Sequence, residues 1–379
     1  MYHIFFRLVL QRMDAERAHA LAKRMLRTVR ATTLGRATVR WLVGPTDSCL
    51  ETQALGLTFP SPIGVGAGVD KDGTWFEDLG ALGFGFVEVG TITALPQEGN
   101  PHPRVARLVR DGAILNKMGS PNPGAEAAAA RLRRHGSNTI AGVSVGKSKP
   151  VSTAAAGDDY RAAVRHLAPV SDYLVLNISS PNTPALRELQ AIDLLGPLVA
   201  AVRRELAALS RSVPLLIKID PDLEDEHLTS IVALAIELGL EGIVAVNTTV
   251  DRSPLADLGA LGASFDGGGV SGAPLRPRAL EVLRHIRKIA GDRLILISVG
   301  GVDSAEEVWQ RIRAGATLVQ VYTAFVYDGP AWPKRVNRDL ARKVRNAGLS
   351  SIRELVGAEG RDAEVRQNRS VAAKRSWAP

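Results

Sequence analysis

Eight short apolar runs, with helical patterns between them, constrain this chain more than any other feature. The runs are Pro62–Ala67, Gly85–Thr91, Ile140–Gly146, Tyr173–Ile178, Leu215–Ile219, Gly242–Thr248, Leu294–Val299 and Leu318–Tyr322. Helical patterns lie between them, for example Ala125–Arg134, Tyr160–Leu167, Leu194–Leu209, Asp225–Leu238, Pro277–Ile289 and Ala305–Ala314. Strand and helix in alternation argue for parallel strands, and eight such units argue for a closed barrel. The expected fold is therefore α/β, a (β/α)8 TIM barrel with an N-terminal helical extension. A doubly wound open sheet is the competing arrangement, but no dinucleotide-type glycine fingerprint follows the first run. Ser304 and Glu307 read as a capping box at the start of the helix after the seventh run.

At 379 residues the chain suits one large barrel with an appendage, or two domains. Three parts are read. Residues 1–45 look like two short helices, 46–345 hold the barrel, and 346–379 form a polar, basic tail that reads as partly disordered. The formal charge is +8, and residues 1–44 hold nine Arg or Lys against Asp14 and Glu16. That first segment reads either as a helical lid on the barrel or as an amphipathic element lying on a membrane surface. No apolar run reaches the ~20 residues that span a bilayer. The opening stretch lacks a basic leader and a small-residue cleavage site, so it is not read as a signal peptide. Aromatics are only 5% and no stacking motif stands out, which argues against nucleic acid. The single cysteine, Cys49, excludes a disulfide within the chain and favours a reducing compartment.

Barrels place their working residues at the C-terminal ends of the strands. Those ends carry Asp70-Lys71, Thr91, Ser144 and Lys147, then Asn177-Ile-Ser-Ser-Pro-Asn182-Thr, Lys218, Asn247-Thr-Thr249, Gly300-Gly301 and Tyr322-Thr323. Any one of these could simply cap a helix or bond a loop, but together they point to a polar rim. Lys218 sits inside an apolar run, where an ammonium is costly without an anionic or acceptor partner. A ligand bearing carbonyls or a carboxylate would supply one. The glycines at 267–272 and 300–301 read as a phosphate grip formed by backbone N–H groups. A mobile glycine loop is the alternative for the first cluster. The seven histidines are scattered, no metal cluster is read, and no Ser-His-Asp series is found.

The run Asn177-Ile-Ser-Ser-Pro-Asn-Thr-Pro184, followed by Leu186-Arg187, resembles the signature of the dihydroorotate dehydrogenases, in the form with serine that marks their membrane-associated, quinone-using class. Further stretches resemble that family: Gly66-Ala-Gly-Val-Asp-Lys71, Gly83-Phe-Gly-Phe-Val-Glu-Val-Gly-Thr91, Gly99-Asn-Pro-His-Pro-Arg104, Lys218-Ile-Asp-Pro-Asp222, Ser298-Val-Gly-Gly301, Val319-Gln-Val-Tyr-Thr323 and, near the start, Asp14-Ala-Glu-Arg-Ala-His19. The resemblance spans roughly residues 1–345.

It implies oxidation of (S)-dihydroorotate to orotate in pyrimidine synthesis, with FMN as cofactor and a membrane quinone as the final acceptor. Ser180 would be the base that removes the C5 proton, while the C6 hydride goes to the flavin. Lys71, Asn116, Asn177, Asn182, Asn247 and Thr248 would bind the substrate, and amide side chains suit it because they both donate and accept. Ala67, Thr91, Ser144, Asn177, Lys218, Gly272, Gly301, Tyr322 and Thr323 would hold FMN. His19 and Arg104 would line a quinone tunnel beneath the N-terminal helices. The implied location is peripheral, on the cytoplasmic face of the inner membrane if the source is bacterial. Ser120-Pro121-Asn122, Ser144 and Val246 depart from the family's usual residues. They leave room for a diverged FMN dehydrogenase acting on another cyclic amide or acid. A non-catalytic flavin-binding barrel and a nicotinamide-linked enzyme are further alternatives.

Overall fold

The computed structural model describes residues 2–44, 46–133, 139–209, 212–256 and 265–363. Eight parallel strands close into a barrel: Ile63–Val65, Phe86–Ile92, Ile140–Val145, Tyr173–Asn177, Leu215–Ile219, Gly242–Ala245, Ile295–Val299 and Leu318–Val321. Seven lie within the apolar runs read from the sequence, and the second passes the end of its run by one residue, Ile92. They follow chain order around the barrel, the eighth pairing with the first. The register sets Asn177 beside Lys218 and Gln320 beside Gly64.

Alternation along each strand separates two cores. Val87, Val89, Leu174, Leu176, Ile217 and Ile219 face outward into the helical layer. Phe86, Tyr173, Val175, Leu216, Val244, Ile297 and Leu318 fill the lower interior. The large rings need small neighbours. A Cβ on Gly142 would sit 2.0 Å from the Tyr173 ring, so that position accepts only glycine. A hairpin of Thr52–Ala54 and Leu57–Phe59 plugs the bottom, with Phe59 edge-on to Phe86 at 5.3 Å. Phe86→Ala would cost about 3–5 kcal/mol, because the rigid barrel cannot collapse onto the void.

The helices are α1 (Tyr2–Leu8), α2 (Ala15–Ala31), α3 (Thr33–Val43), α4 (Phe76–Gly80), α5 (Ala125–Leu132), α6 (Ala156–Leu167), α7 (Ile192–Ala208), α8 (Asp225–Glu237), α9 (Arg276–Ala290), α10 (Ala305–Arg313), α11 (Thr323–Asp328) and α12 (Trp332–Asn346). Three helices, not two, precede the barrel. Asp14 starts α2 by accepting the N–H groups of Glu16 and Arg17, and the extended Thr32 divides α2 from α3. Salt bridges tie α2 to the barrel: Glu16 to Arg104 at 2.9 Å, Lys23 to Asp72 at 2.7 Å, and Arg30 to Asp78.

Two local expectations need correction. Ser304 does accept the Glu307 N–H at 3.3 Å, but the Glu307 carboxylate faces Arg276 and Arg311, so only half of the capping box forms. A complete box forms instead at Ser351 and Glu354. The tail also folds further than its composition suggests. Ile352 and Leu355 are buried, Gly357 N–H donates to the Ile312 carbonyl, and Arg313 pairs with Asp362 at 2.9 Å. Residues 364–379 lie outside the described residues.

Candidate active site

Two excursions build the rim of the mouth. In the loop after the second strand, Val105–Leu108 pairs with Ala113–Asn116, which pairs in turn with Gly269–Gly272 from the loop after the sixth. Four of the six residues of the run 267–272 are thus strand rather than free loop. Beneath this sheet and the N-terminal helices lies one continuous cavity of about 1470 Å³. Sites for single small ligands commonly enclose about 300–1,000 Å³, so this one has room for more than one occupant.

At its inner end the side chains form two hydrogen-bonded groups. In the first, Asn177 Nδ2 donates to Thr91 Oγ1 at 2.8 Å, and Asn247 Nδ2 donates to Ser179 Oγ at 2.9 Å. Ser179 Oγ donates in turn to Asn177 Oδ1 at 3.1 Å, and Thr248 N–H donates to Asn247 Oδ1 at 2.8 Å. In the second, Asn182 Nδ2 donates to Asn116 Oδ1 at 3.0 Å, and Asn116 Nδ2 reaches the Gly269 carbonyl at 3.3 Å. These contacts fix which end of each amide faces the cavity. Ser180 lies between the groups, 9% exposed, and its Oγ accepts the Asn182 N–H at 3.3 Å. Among the described residues, no protein acceptor bonds its own hydroxyl hydrogen.

Lys71 lines the same cavity and has no carboxylate at ion-pair distance among the described residues. Desolvation pushes its ammonium down to about 8. An anionic ligand would relieve that cost. At the opposite wall Gly272, Gly301, Tyr322 and Thr323 converge. Gly301 holds φ +75°, and a Cβ there would lie 2.5 Å from Arg276 Cβ. Arg276 and Arg311 bond the carbonyls of Gly301 and Gly300. Among the described residues, nothing in the protein accepts from the N–H groups of Gly300, Gly301, Thr323 and Ala324. Such a cradle suits a phosphate.

The outer end is apolar, lined by Phe6, Ala18, Ala22 and Leu26. His19 stands there, edge-on to Trp75 at 5.2 Å. Burial, with Lys71 and Lys23 nearby, pushes its imidazole down to about 3, so it stays neutral.

Fifteen of the seventeen site residues read from the sequence border this cavity: Ala67, Lys71, Thr91, Asn116, Asn177, Ser180, Asn182, Lys218, Asn247, Thr248, Gly272, Gly301, Tyr322, Thr323 and His19. Two stand behind its wall. Ser144 is fully buried and meets Thr91 Oγ1 at 3.0 Å. Arg104 spends its guanidinium on Glu16 and on the carbonyls of Glu98 and Asn100. Lys147 turns away to the Ser148 and Val151 carbonyls. Of the departures, Ser120 and Val246 line the cavity. Asn122 also lines it, and its side chain holds the loop through Thr93 and Gly124.

Sequence reading missed two residues. Arg187 donates to the Ser179 and Thr248 carbonyls at 3.1 Å and pairs with Asp222 at 3.0 Å, stapling the loops after the fourth and sixth strands. Glu88 lies fully buried inside the barrel. Its signal was an acid within an otherwise apolar run.

The family model described as "Dihydroorotate dehydrogenase" matches residues 49–344. Curated relatives named "Dihydroorotate dehydrogenase (quinone)" include one from Thermobifida fusca (strain YX), 48% identical, covering 95% of this chain and 97% of the relative. Another, from Pseudarthrobacter chlorophenolicus, is 50% identical and covers 91% and 99%. A third, from Mycobacterium tuberculosis (strain ATCC 25618 / H37Rv), is 48% identical and covers 95% and 99%. Among solved structures, DHODH from Eimeria tenella in complex with ferulenol superposes with a TM-score of 0.78 at 34% identity, covering 87% of this chain and 96% of that one. The ligand-free form from the same organism gives 0.79 at 34% identity, with 86% and 99% covered.

Proposed function

The chain belongs to the dihydroorotate dehydrogenase family, and from that premise we propose that this cavity is divided, oxidising dihydroorotate at the inner end and admitting a quinone at the outer end. Its reaction is the oxidation of dihydroorotate to orotate in pyrimidine biosynthesis, with a flavin as cofactor. The flavin is FMN, which has a single phosphate. The cradle of Gly272, Gly300, Gly301 and Thr323 fits one such group, and Ala67, Thr91, Asn177, Lys218 and Tyr322 hold the rest, with Ser144 supporting Thr91 from behind.

The bound flavin supplies the acceptor for the hydride leaving C6. The chain's own residues do the rest. Asn116, Asn177, Asn182, Asn247 and Thr248 hold the substrate's carboxylate and ring amides, and each amide is pre-set by the contacts above, so little order is lost on binding. Lys71 supplies the positive charge. Ser180 Oγ takes the C5 proton. A hydroxyl is a weak base in water, so it must give up its own hydrogen as it takes the C5 proton, and the Asn182 N–H stabilises the negative charge that develops on the oxygen. Its own hydrogen is free to pass into the cavity water.

At the outer end, His19 stays neutral and offers a ring nitrogen beside an apolar path. Arg104 acts from behind the wall, fixing α2 through Glu16. The N-terminal helices carry exposed Ile4, Leu8, Leu34 and Trp41 among their arginines. This pattern suits a peripheral element on an anionic membrane surface. Among the described residues, no helix is long and apolar enough to cross a membrane. Sedimentation with anionic vesicles tests that surface. Leu34→Glu with Trp41→Glu should abolish co-sedimentation, and unchanged binding would refute it.

The observation that carries the functional reading is the continuity of the cavity from Ser180 to the underside of α2. Mixing the purified protein anaerobically with dihydroorotate should bleach the flavin's visible absorbance, and a quinone should restore it. A yellow protein that does not bleach would contradict the assignment.

A further inference from the structure

Inside the barrel, below the cavity floor, lies a carboxylate that the reaction above does not use. Glu88, on the second strand, is 0% exposed. Its Oε2 accepts from Gln320 Nε2 at 2.7 Å, and its Oε1 has no hydrogen-bond partner. Lys218 Nζ stands 3.8 Å from that Oε1. Lys218 and Gln320 line the cavity, whereas Glu88 does not. Apolar side chains, among them Phe86, Leu216 and Leu318, fill the layer beneath. Tyr173 is the other titratable group nearby, and burial drives its hydroxyl well above its usual value, so it carries no charge. Asp220, higher on the fifth strand's edge, is committed to Gln190 and Arg187.

A carboxylate with no water contact is costly unless a cation compensates it, and the same holds for a nearly buried ammonium. The separation exceeds hydrogen-bond distance, so charge compensation is the interaction available to the pair. Only Lys218 of the two reaches a ligand. Any effect of Glu88 on the reaction must therefore pass through its cavity-lining neighbours, the neutral Gln320 or the cationic Lys218.

We propose that Glu88 is a positioning residue that holds the Lys218 ammonium at the cavity floor and thereby raises the readiness of the bound flavin to accept electrons. The proposal rests on the flavin reading above. A cation held beside a bound flavin would favour its electron-rich reduced form. Without the carboxylate, the ammonium loses the charge that holds it at the floor, and that help is lost.

The test compares holoenzymes of the wild type, Glu88→Gln, Lys218→Met and the double variant. The first readout is the flavin reduction potential. Glu88→Gln should lower it towards the Lys218→Met value, by about a tenfold change in the two-electron equilibrium, or ~30 mV. Adding Glu88→Gln to Lys218→Met should change it no further. A rise in Glu88→Gln would show that Lys218 keeps its place without the carboxylate and would overturn the proposal, as would an unchanged potential. The second readout is the thermal unfolding midpoint. Each single variant should fall further than the double, because each leaves one buried charge uncompensated. Simple addition of the two losses would overturn the pairing. If the wild type carries no flavin, the flavin reading fails, and the melting cycle alone still decides whether the pair exists.

Discussion

The two ends of the cavity are built on opposite plans. At the inner end Asn116, Asn177, Asn182 and Asn247 are locked by side-chain and backbone partners before any ligand arrives. At the outer end Phe6, Ala18, Ala22 and Leu26 present apolar surface, and the helices that carry them are held by a few ion pairs and aromatic edges. The first plan suits a polar substrate read atom by atom. The second suits a lipid-soluble ligand that needs a path more than a mould. A preorganised site loses rate when one group is misplaced, whereas a packed path should tolerate substitution until its wall detaches.

The largest expected effect is at Ser180. Ser180→Ala should slow flavin reduction by dihydroorotate by ~10²–10⁴-fold, as expected for a lost general base, without loss of bound flavin. A smaller fall would move the base elsewhere among the inner residues. Arg187→Leu comes next. It frees the loops that carry Ser180 and Thr248, and a displacement of about 1 Å can cost ~10²-fold. Lysine should rescue it poorly, since the site uses several guanidinium donors in fixed directions.

Glu16→Gln breaks the bidentate clamp on Arg104 and loosens α2. It should slow reoxidation by quinone by about tenfold, roughly 1.4 kcal/mol, and leave reduction by dihydroorotate unchanged. Equal slowing of both would show that the ends are not separable. The smallest effect concerns pH. Lys71 is held down to about 8 by desolvation, so its charge is present below that value and lost above it. Affinity for orotate, an anion, should therefore be flat at lower pH and weaken as pH rises past about 8. A bound anion moves that point upward. Lys71→Met should remove the dependence, which a pH series of binding titrations would show.

The same contrast explains what could be read from the sequence. The eight strands were legible because parallel barrel strands are apolar on both faces, and their polar ends then fell on one rim. Lys218 was legible as a charge in need of a partner, but the partner was sought in a ligand. Glu88 is the anion at ion-pair distance, 130 residues away in sequence, and strand spacing carries no information about which strands close the barrel over each other. Arg187 read as part of a motif, because its four contacts come from three separate loops. Ser144 and Arg104 lie one layer behind the wall, a depth that sequence position does not encode. Residues 346–363 looked like a free tail because their few apolar side chains, Ile352 and Leu355, are buried by a surface built from distant helices.

The most direct measurement follows the two half-reactions separately by rapid mixing, in Ser180→Ala and in a protein lacking residues 1–31. Ser180→Ala should lose reduction by dihydroorotate and keep reoxidation by quinone, and the truncated protein should show the reverse. If either lesion slowed both half-reactions alike, the cavity would not be divided as described.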